Sequence, residues 1–209
     1  MKVLAVLGAG NKTRNTATML KSAFEGAMSV EGASGGLIHL YDLNFKGCYG
    51  CHSCKLKDES RLGRCAIRDD LTEVLEKARQ ADVLLIGSPI YYGDITGVTR
   101  SFLERYLFPS MTYDVDRVPQ YEKRTKVGWV FTMNAGGEFY TDFFKGLVGQ
   151  TDRLIGESDF VYASGTKQFE DYSKYAASRF DEAAVIKRHE EQFPQDCEAA
   201  FEMGKRLAS

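Results

Sequence analysis

Five times along this chain a short apolar run is followed by a stretch with helical spacing, and no other feature constrains the fold as tightly. Lys2 to Leu7 is nearly continuously apolar, as a strand buried on both faces must be. Thr16 to Met28 then places Met19, Leu20, Ala23, Phe24 and Met28 at helical intervals. The same reading predicts strands over Leu37–Leu43, Asp82–Ile86, Lys126–Thr132 and Asp159–Ala163. Helices are predicted over Asp70–Gln80, Thr99–Leu107 and Phe139–Leu154. The rest of the chain reads as two helical pieces divided at Phe193-Pro194, the second over Gln195–Ala208. Such alternation implies right-handed crossovers and a parallel sheet with helices on both faces. The expected fold class is α/β, a doubly wound five-stranded parallel sheet of order 2-1-3-4-5. With no repeat, linker or low-complexity tract in 209 residues, a single domain over 1–209 is the simplest account.

Composition excludes some functions. A net charge of −2 and a pI near 6.0 give no basic stripe for nucleic acid. No run reaches the ~18 apolar residues of a membrane span. Lys2 with Val3 to Gly10 imitates a short signal peptide, but Asn11-Lys12-Thr13-Arg14 follows at once, so an opening core strand is the better reading. The expected compartment is therefore the cytoplasm, where thiols stay reduced.

Doubly wound folds bind ligands beyond the C-terminal ends of their strands. After the first strand stands Gly8-Ala9-Gly10-Asn11-Lys12-Thr13-Arg14-Asn15-Thr16. Glycines admit a ligand close to the backbone, and the start of the following helix suits a phosphate dianion. Asn15 and Thr16 would add side-chain donors, and Lys12 and Arg14 charge. A plain turn with Asn15 or Thr16 as N-cap explains the loop equally well. A dinucleotide-binding Gly-x-Gly-x-x-Gly fits poorly, because Thr13 stands at its third glycine. After the third strand comes Gly87-Ser88-Pro89-Ile90-Tyr91-Tyr92-Gly93-Asp94-Ile95. Two rings beside free backbone amides suit a flat heteroaromatic ligand with a polar edge, although tyrosine pairs usually just pack on neighbours.

Cys48, Cys51, Cys54 and Cys65 form a separate constellation. Repeated Cys-x-x-Cys steps and a later fourth cysteine have the spacing of an iron–sulfur ligand run. Four thiolates also suit zinc, and reduced thiols or a disulfide remain a third reading. His39 reads as a packed core histidine, His52 as a loop residue and His189 as part of a solvated helical face. Cys197 reads as a small packed residue.

These motifs together resemble the flavodoxin-like NAD(P)H-dependent FMN reductases. The first loop is similar to that family's Gly-Ser-Pro-Arg-x-x-x-Asn-Thr phosphate loop, with Ala9 and Asn11 in place of Ser and Arg. Ser88 to Gly93 with Arg100–Arg105 resembles its Ser-Pro-x-Tyr loop and Lys-x-x-x-Asp-Arg helix. The cysteine run with Cys65-Ala66-Ile67-Arg68-Asp69-Asp70 resembles the iron–sulfur flavoproteins, though the gap of ten residues from Lys55 to Arg64 is longer than theirs.

The resemblance implies FMN with its phosphate at Asn11, Asn15, Thr16 and Ala17. It places the ring against Pro89, Ile90, Tyr91, Tyr92, Gly93, Asp94 and Ile95, with Thr132, Asn134 and Gly136 on its other side. Tyr91, Tyr92, Phe139 and Tyr140 would line the nicotinamide space. It implies an FMN-dependent oxidoreductase, reduced by NAD(P)H and passing electrons to an unidentified acceptor, in a homodimer or homotetramer. One alternative is an electron carrier with a [4Fe–4S] cluster on Cys48, Cys51, Cys54 and Cys65. Another is a non-catalytic nucleotide-binding module.

Overall fold

The computed structural model describes residues 1–58, 60–116 and 123–209. The alternation resolves into strands β1 (Lys2–Leu7), β2 (Ser34–His39), β3 (Val83–Tyr91), β4 (Asp94–Ile95), β5 (Lys126–Thr132) and β6 (Ser158–Ala163). Between and after them run helices α1 (Asn15–Met28), α2 (Leu71–Gln80), α3 (Gly97–Leu107), α4 (Thr141–Leu154), α5 (Glu182–Glu191) and α6 (Phe193–Leu207). Five strands are parallel, in the order β2-β1-β3-β5-β6. The two-residue β4 turns back antiparallel on β3, pairing Ile90 with Ile95 and Tyr91 with Asp94. That extra strand changes the numbering of the expected order 2-1-3-4-5.

The sheet is buried on both faces, which is why its strands read as apolar runs. Successive residues of β1 divide between two cores. Val3, Ala5 and Leu7 pack with α1 and α6, while Leu4 and Val6 face α2, α3 and α4. Trp129 is fully buried, stacks on Phe131 at 5.3 Å and donates to Thr151 Oγ1 at 3.2 Å. On the opposite face α1 and α6 lie in backbone contact. A Cβ on Gly204 would stand 1.8 Å from the Ala23 carbonyl oxygen, so only glycine fits there. No helix among the described residues is long and apolar enough to cross a membrane.

Three boundaries depart from the sequence pattern. β2 begins at Ser34 and ends at His39, rather than spanning 37–43. Pairing of Ser34 with Lys2 recruits Gly35 and Gly36, which carry no strand signal of their own, and Leu40–Asp42 closes into a single 3-10 turn. β3 continues past Ile86 to Tyr91, because pairing with β5 and then β4 carries it beyond the apolar run. Residues 164–181 are not helical apart from the short turn Tyr172–Lys174. Phe169, Tyr172, Tyr175 and Phe180 pack there ring against ring, with Phe169 and Tyr175 stacked at 4.0 Å. Helix α5 starts only at Glu182, where Asp181 caps the Ala184 amide.

Candidate functional site

The C-terminal ends of β1, β3, β5 and β6 meet around a cleft of about 590 Å³, within the usual range for a small-molecule site. Asn11, Asn15, Thr16, Pro89, Ile90, Tyr91, Tyr92, Thr132 and Asn134 line it. Ala17, Gly93, Asp94, Ile95 and Gly136, grouped with them in sequence, do not line the cleft. Phe139 and Tyr140 also lie outside it, Phe139 largely exposed and Tyr140 against Phe144. The pattern missed Thr166, Lys167 and Gln168, which follow β6 and form one wall. Their signal was available: they too sit at a C-terminal strand end.

The two main loops are locked together. The Gly8 amide donates to the Gly87 carbonyl at 2.8 Å, and the Thr96 hydroxyl donates to the Gly8 carbonyl at 2.7 Å. Thr96 also caps α3 through the Thr99 amide. A Cβ on Gly8 would lie 1.7 Å from Thr99 Oγ1, so this glycine serves close packing between loops. A Cβ on Gly10 would meet nothing nearer than the Tyr41 ring at 3.9 Å.

Helix α1 has no side-chain cap and no acidic residue in its first turn. Its opening amides and positive dipole end are therefore left toward the cleft, an arrangement suited to a dianion. The expected side-chain donors are engaged elsewhere. Asn15 Nδ2 donates to the Lys167 carbonyl at 2.8 Å, and Arg14 donates to the Gln168 carbonyl at 2.6 Å. Thr16 Oγ1 shares a hydrogen bond with Thr132 Oγ1 across the floor at 2.7 Å. Asn11 accepts from the amide and hydroxyl of Thr13, which folds the loop back on itself. Lys12 is paired with Asp42, and hydrogen bonds from Lys12 and His39 hold the Asp42 carboxyl below its ordinary range. The buried His39 also bonds the Ala9 carbonyl at 2.6 Å, a structural role as its strand position suggests. Across the cleft, Asn134 Nδ2 reaches the Thr166 carbonyl at 3.5 Å. The post-β6 strap is thus tied to the loops after β1 and β5.

At the mouth, Tyr92 and Gly93 join β3 to β4. Both have positive φ, 52° and 80°, as the tightest hairpin turns require. Tyr91 is 58% exposed and Tyr92 fully so, which leaves both rings free for a ligand face.

The four clustered cysteines form a second site. Cys48, Cys51, Cys54 and Cys65 all line one small void of about 10 Å³ against Glu104, Arg105, Phe108 and Pro109, at the end of α3. That is room for about one water-sized atom. The void and the cleft share no lining residue. Thr96 to Arg105 is nine helical steps, roughly 13 Å. Cys54 is 6% exposed. Burial pushes its thiol up, the neighbouring Cys48 and Cys51 add to this, and Lys55 opposes it. Among the described residues no three candidate ligands converge closely enough to hold a metal ion. The donor set nonetheless suits a four-thiolate centre.

Comparison with known proteins places this geometry. A family model described as NADPH-dependent FMN reductase matches residues 1–137. An iron-sulfur flavoprotein of Archaeoglobus fulgidus is 40% identical over 105 residues, covering 50% of this chain and 48% of that protein. An iron-sulfur flavoprotein of Methanocaldococcus jannaschii is 32% identical over 105 residues, covering 50% and 51%. The chain spans about half the length of the curated relatives it matches. Among solved structures, an NAD(P)H:quinone oxidoreductase from Methanothermobacter marburgensis superposes with a TM-score of 0.66 at 16% identity, covering 100% of this chain and 98% of that one. An FMN-dependent NADH-azoreductase from Bacillus anthracis in complex with FMN gives 0.62 at 16% identity, covering both chains fully. At these identities the structural likeness establishes the flavodoxin-like fold.

Proposed function

This chain belongs to the NADPH-dependent FMN reductase family, and on that premise we propose that its cleft holds FMN, takes hydride from NAD(P)H and passes the electrons to an acceptor. The observation that carries the reading is the meeting, in one cleft, of an uncapped helix start with the Pro89–Tyr92 loop. FMN would supply the hydride and electron chemistry. The protein's share is to bind and orient. The first amides of α1 would hold the phosphate, with Thr16 and Thr132 fixing the floor. The backbone of the loop from Ile90 to Ile95 would face the polar edge of the ring and favour negative charge on it. Tyr91 and Tyr92 would stack a nicotinamide at the mouth. The strap from Thr166 to Gln168 would exclude water from the phosphate end. The same reading includes a homodimer or homotetramer in the cytoplasm.

The test begins with the cofactor. Flavin released from the purified protein should chromatograph as FMN, and the loaded protein should oxidise NADH or NADPH. FAD, or no flavin after incubation, would overturn the reading, and a colourless protein that takes up no FMN would favour a non-catalytic module.

The cysteine void and the names of the curated relatives favour a second reading, an electron carrier with a [4Fe–4S] cluster on Cys48, Cys51, Cys54 and Cys65. Aerobic preparations should contain flavin without iron. Anaerobic reconstitution giving about four irons per chain, lost in Cys51→Ser, would establish the cluster. Flavin alone, with undiminished NAD(P)H oxidation in Cys51→Ser, would leave the loop a thiol or structural feature.

A further inference from the structure

Arg105 is a buried cation with no part in the flavin cleft. Its side chain is wholly buried, yet it stands on the void lined by all four cysteines. A buried charge is costly unless paired and hydrogen-bonded, so each partner of this guanidinium is informative. Nη1 donates to the Lys46 carbonyl at 3.2 Å, and Nη2 to the Ile67 carbonyl at 3.2 Å. Those carbonyls stand two residues before Cys48 and two after Cys65. One planar side chain therefore closes the whole cysteine loop at its base. Nη1 also pairs with Asp69, and Arg105 and Cys65 line the same void. Nε is buried without a partner among the described residues.

We propose that Arg105 positions and charge-balances a four-thiolate metal centre on Cys48, Cys51, Cys54 and Cys65. This rests on the metal-binding reading of the cysteine loop. A single divalent ion on four thiolates and an oxidised four-iron cluster on four thiolates share one property: both are doubly negative. Beside the buried Cys54 and the buried guanidinium, that charge needs a nearby cation. The structure supplies Arg105, which lines the void with Cys65. Lys55, next to Cys54 in the chain, turns its ammonium to the Phe108, Pro109 and Met111 carbonyls, 4.4 Å from the Phe108 ring centroid. The opposing charges are Asp69, which partly neutralises Arg105, and the exposed Glu104, which accepts from the Cys48 amide at 3.1 Å. Lysine in place of Arg105 would keep the charge but could not bridge two carbonyls and the Asp69 carboxylate with one planar group.

Three variants test this on the full chain, with FMN uptake checking that the rest of the fold is intact. Apoprotein is titrated with Co²⁺ alone, read by thiolate-to-cobalt absorption. In parallel it is reconstituted anaerobically with ferrous iron and sulfide, and the potential of any cluster is measured. The first probe reports a single-ion site, the second a cluster. Arg105→Gln should weaken binding by at least about tenfold, since it removes a charge-assisted hydrogen bond, and should lower the potential of any cluster. Arg105→Lys should fall between it and the unaltered protein. Asp69→Asn should go the other way, binding at least as tightly and raising the potential. A purely structural loop clamp would not reverse sign with Asp69. Equal affinity in Arg105→Gln, or Asp69→Asn weakening binding as much as Arg105→Gln does, overturns the proposal. Should Arg105→Gln fail to fold, the opposite signs expected of Arg105→Lys and Asp69→Asn still decide it. Failure of the unaltered protein to take up either probe would remove the metal reading and this inference together. Uptake unchanged by all three variants would remove the inference alone.

Discussion

Helix α3 separates two sites built in opposite ways. At its start, the cleft is open, its walls are loop backbone, and the helix that faces it is left uncapped. At its end, the cysteine void is small and its base is clamped by a buried guanidinium, with Cys54 buried and Cys51 exposed. The large cleft presents loop amides and aromatic faces, with Arg14 and Lys167 on its wall, which suits a flat anionic ligand. The small void sets one buried guanidinium beside four cysteines, which suits a centre that stays. Size and the groups brought together thus distinguish the two sites.

The largest expected effect would break the comparison at the cleft alone. Gly8→Val forces a side chain into Thr99, where even a Cβ stands at 1.7 Å. Overpacking of this kind costs up to about 3 kcal/mol, so FMN affinity should fall by roughly a hundredfold. Fluorescence titration reads the affinity, and thiol counting with a cysteine reagent should show the far end of α3 unchanged. Retained FMN affinity would mean that the seam between the loops does not shape the cleft.

A smaller effect sharpens how the cleft is held. Asn15→Ala removes the bond to the Lys167 carbonyl, worth about 0.5–1.5 kcal/mol. FMN and riboflavin should then weaken together by roughly three- to tenfold, because the strap loosens for both. Loss of FMN alone would show that the Asn15 side chain turns to the phosphate, as the sequence motif suggests, instead of to the strap.

The smallest effect concerns Tyr92. A non-glycine residue in the left-handed region carries strain, which Tyr92→Gly relieves while making the unfolded chain freer. Stability measured by denaturant should rise by no more than about 1 kcal/mol, while KM for the nicotinamide rises. Unchanged kinetics would reduce the exposed ring to a turn residue and leave the mouth of the cleft without a stacking platform.

The sequence by itself determined the layered fold and the edge of the sheet at which a ligand sits. Apolar periodicity is a local consequence of burial, so β1, α1, β5 and α4 were legible residue by residue. The loops after β1 and β3 were legible because strand ends in such folds face the ligand. The cysteines announced themselves by spacing. Only the tertiary structure decided what those residues touch. Asn15 bonds a carbonyl 152 positions away, and Arg105 reaches back 59 positions to Lys46. Neither partnership leaves a periodic trace. Residues 164–181 read as helical with the rest of the tail, yet Phe169, Tyr172, Tyr175 and Phe180 pack on one another, and the carbonyls of Thr166, Lys167 and Gln168 accept from Asn134, Asn15 and Arg14. Local pattern records which face of an element is buried; distant backbone groups, which every residue carries alike, choose their partners only when the chain is folded.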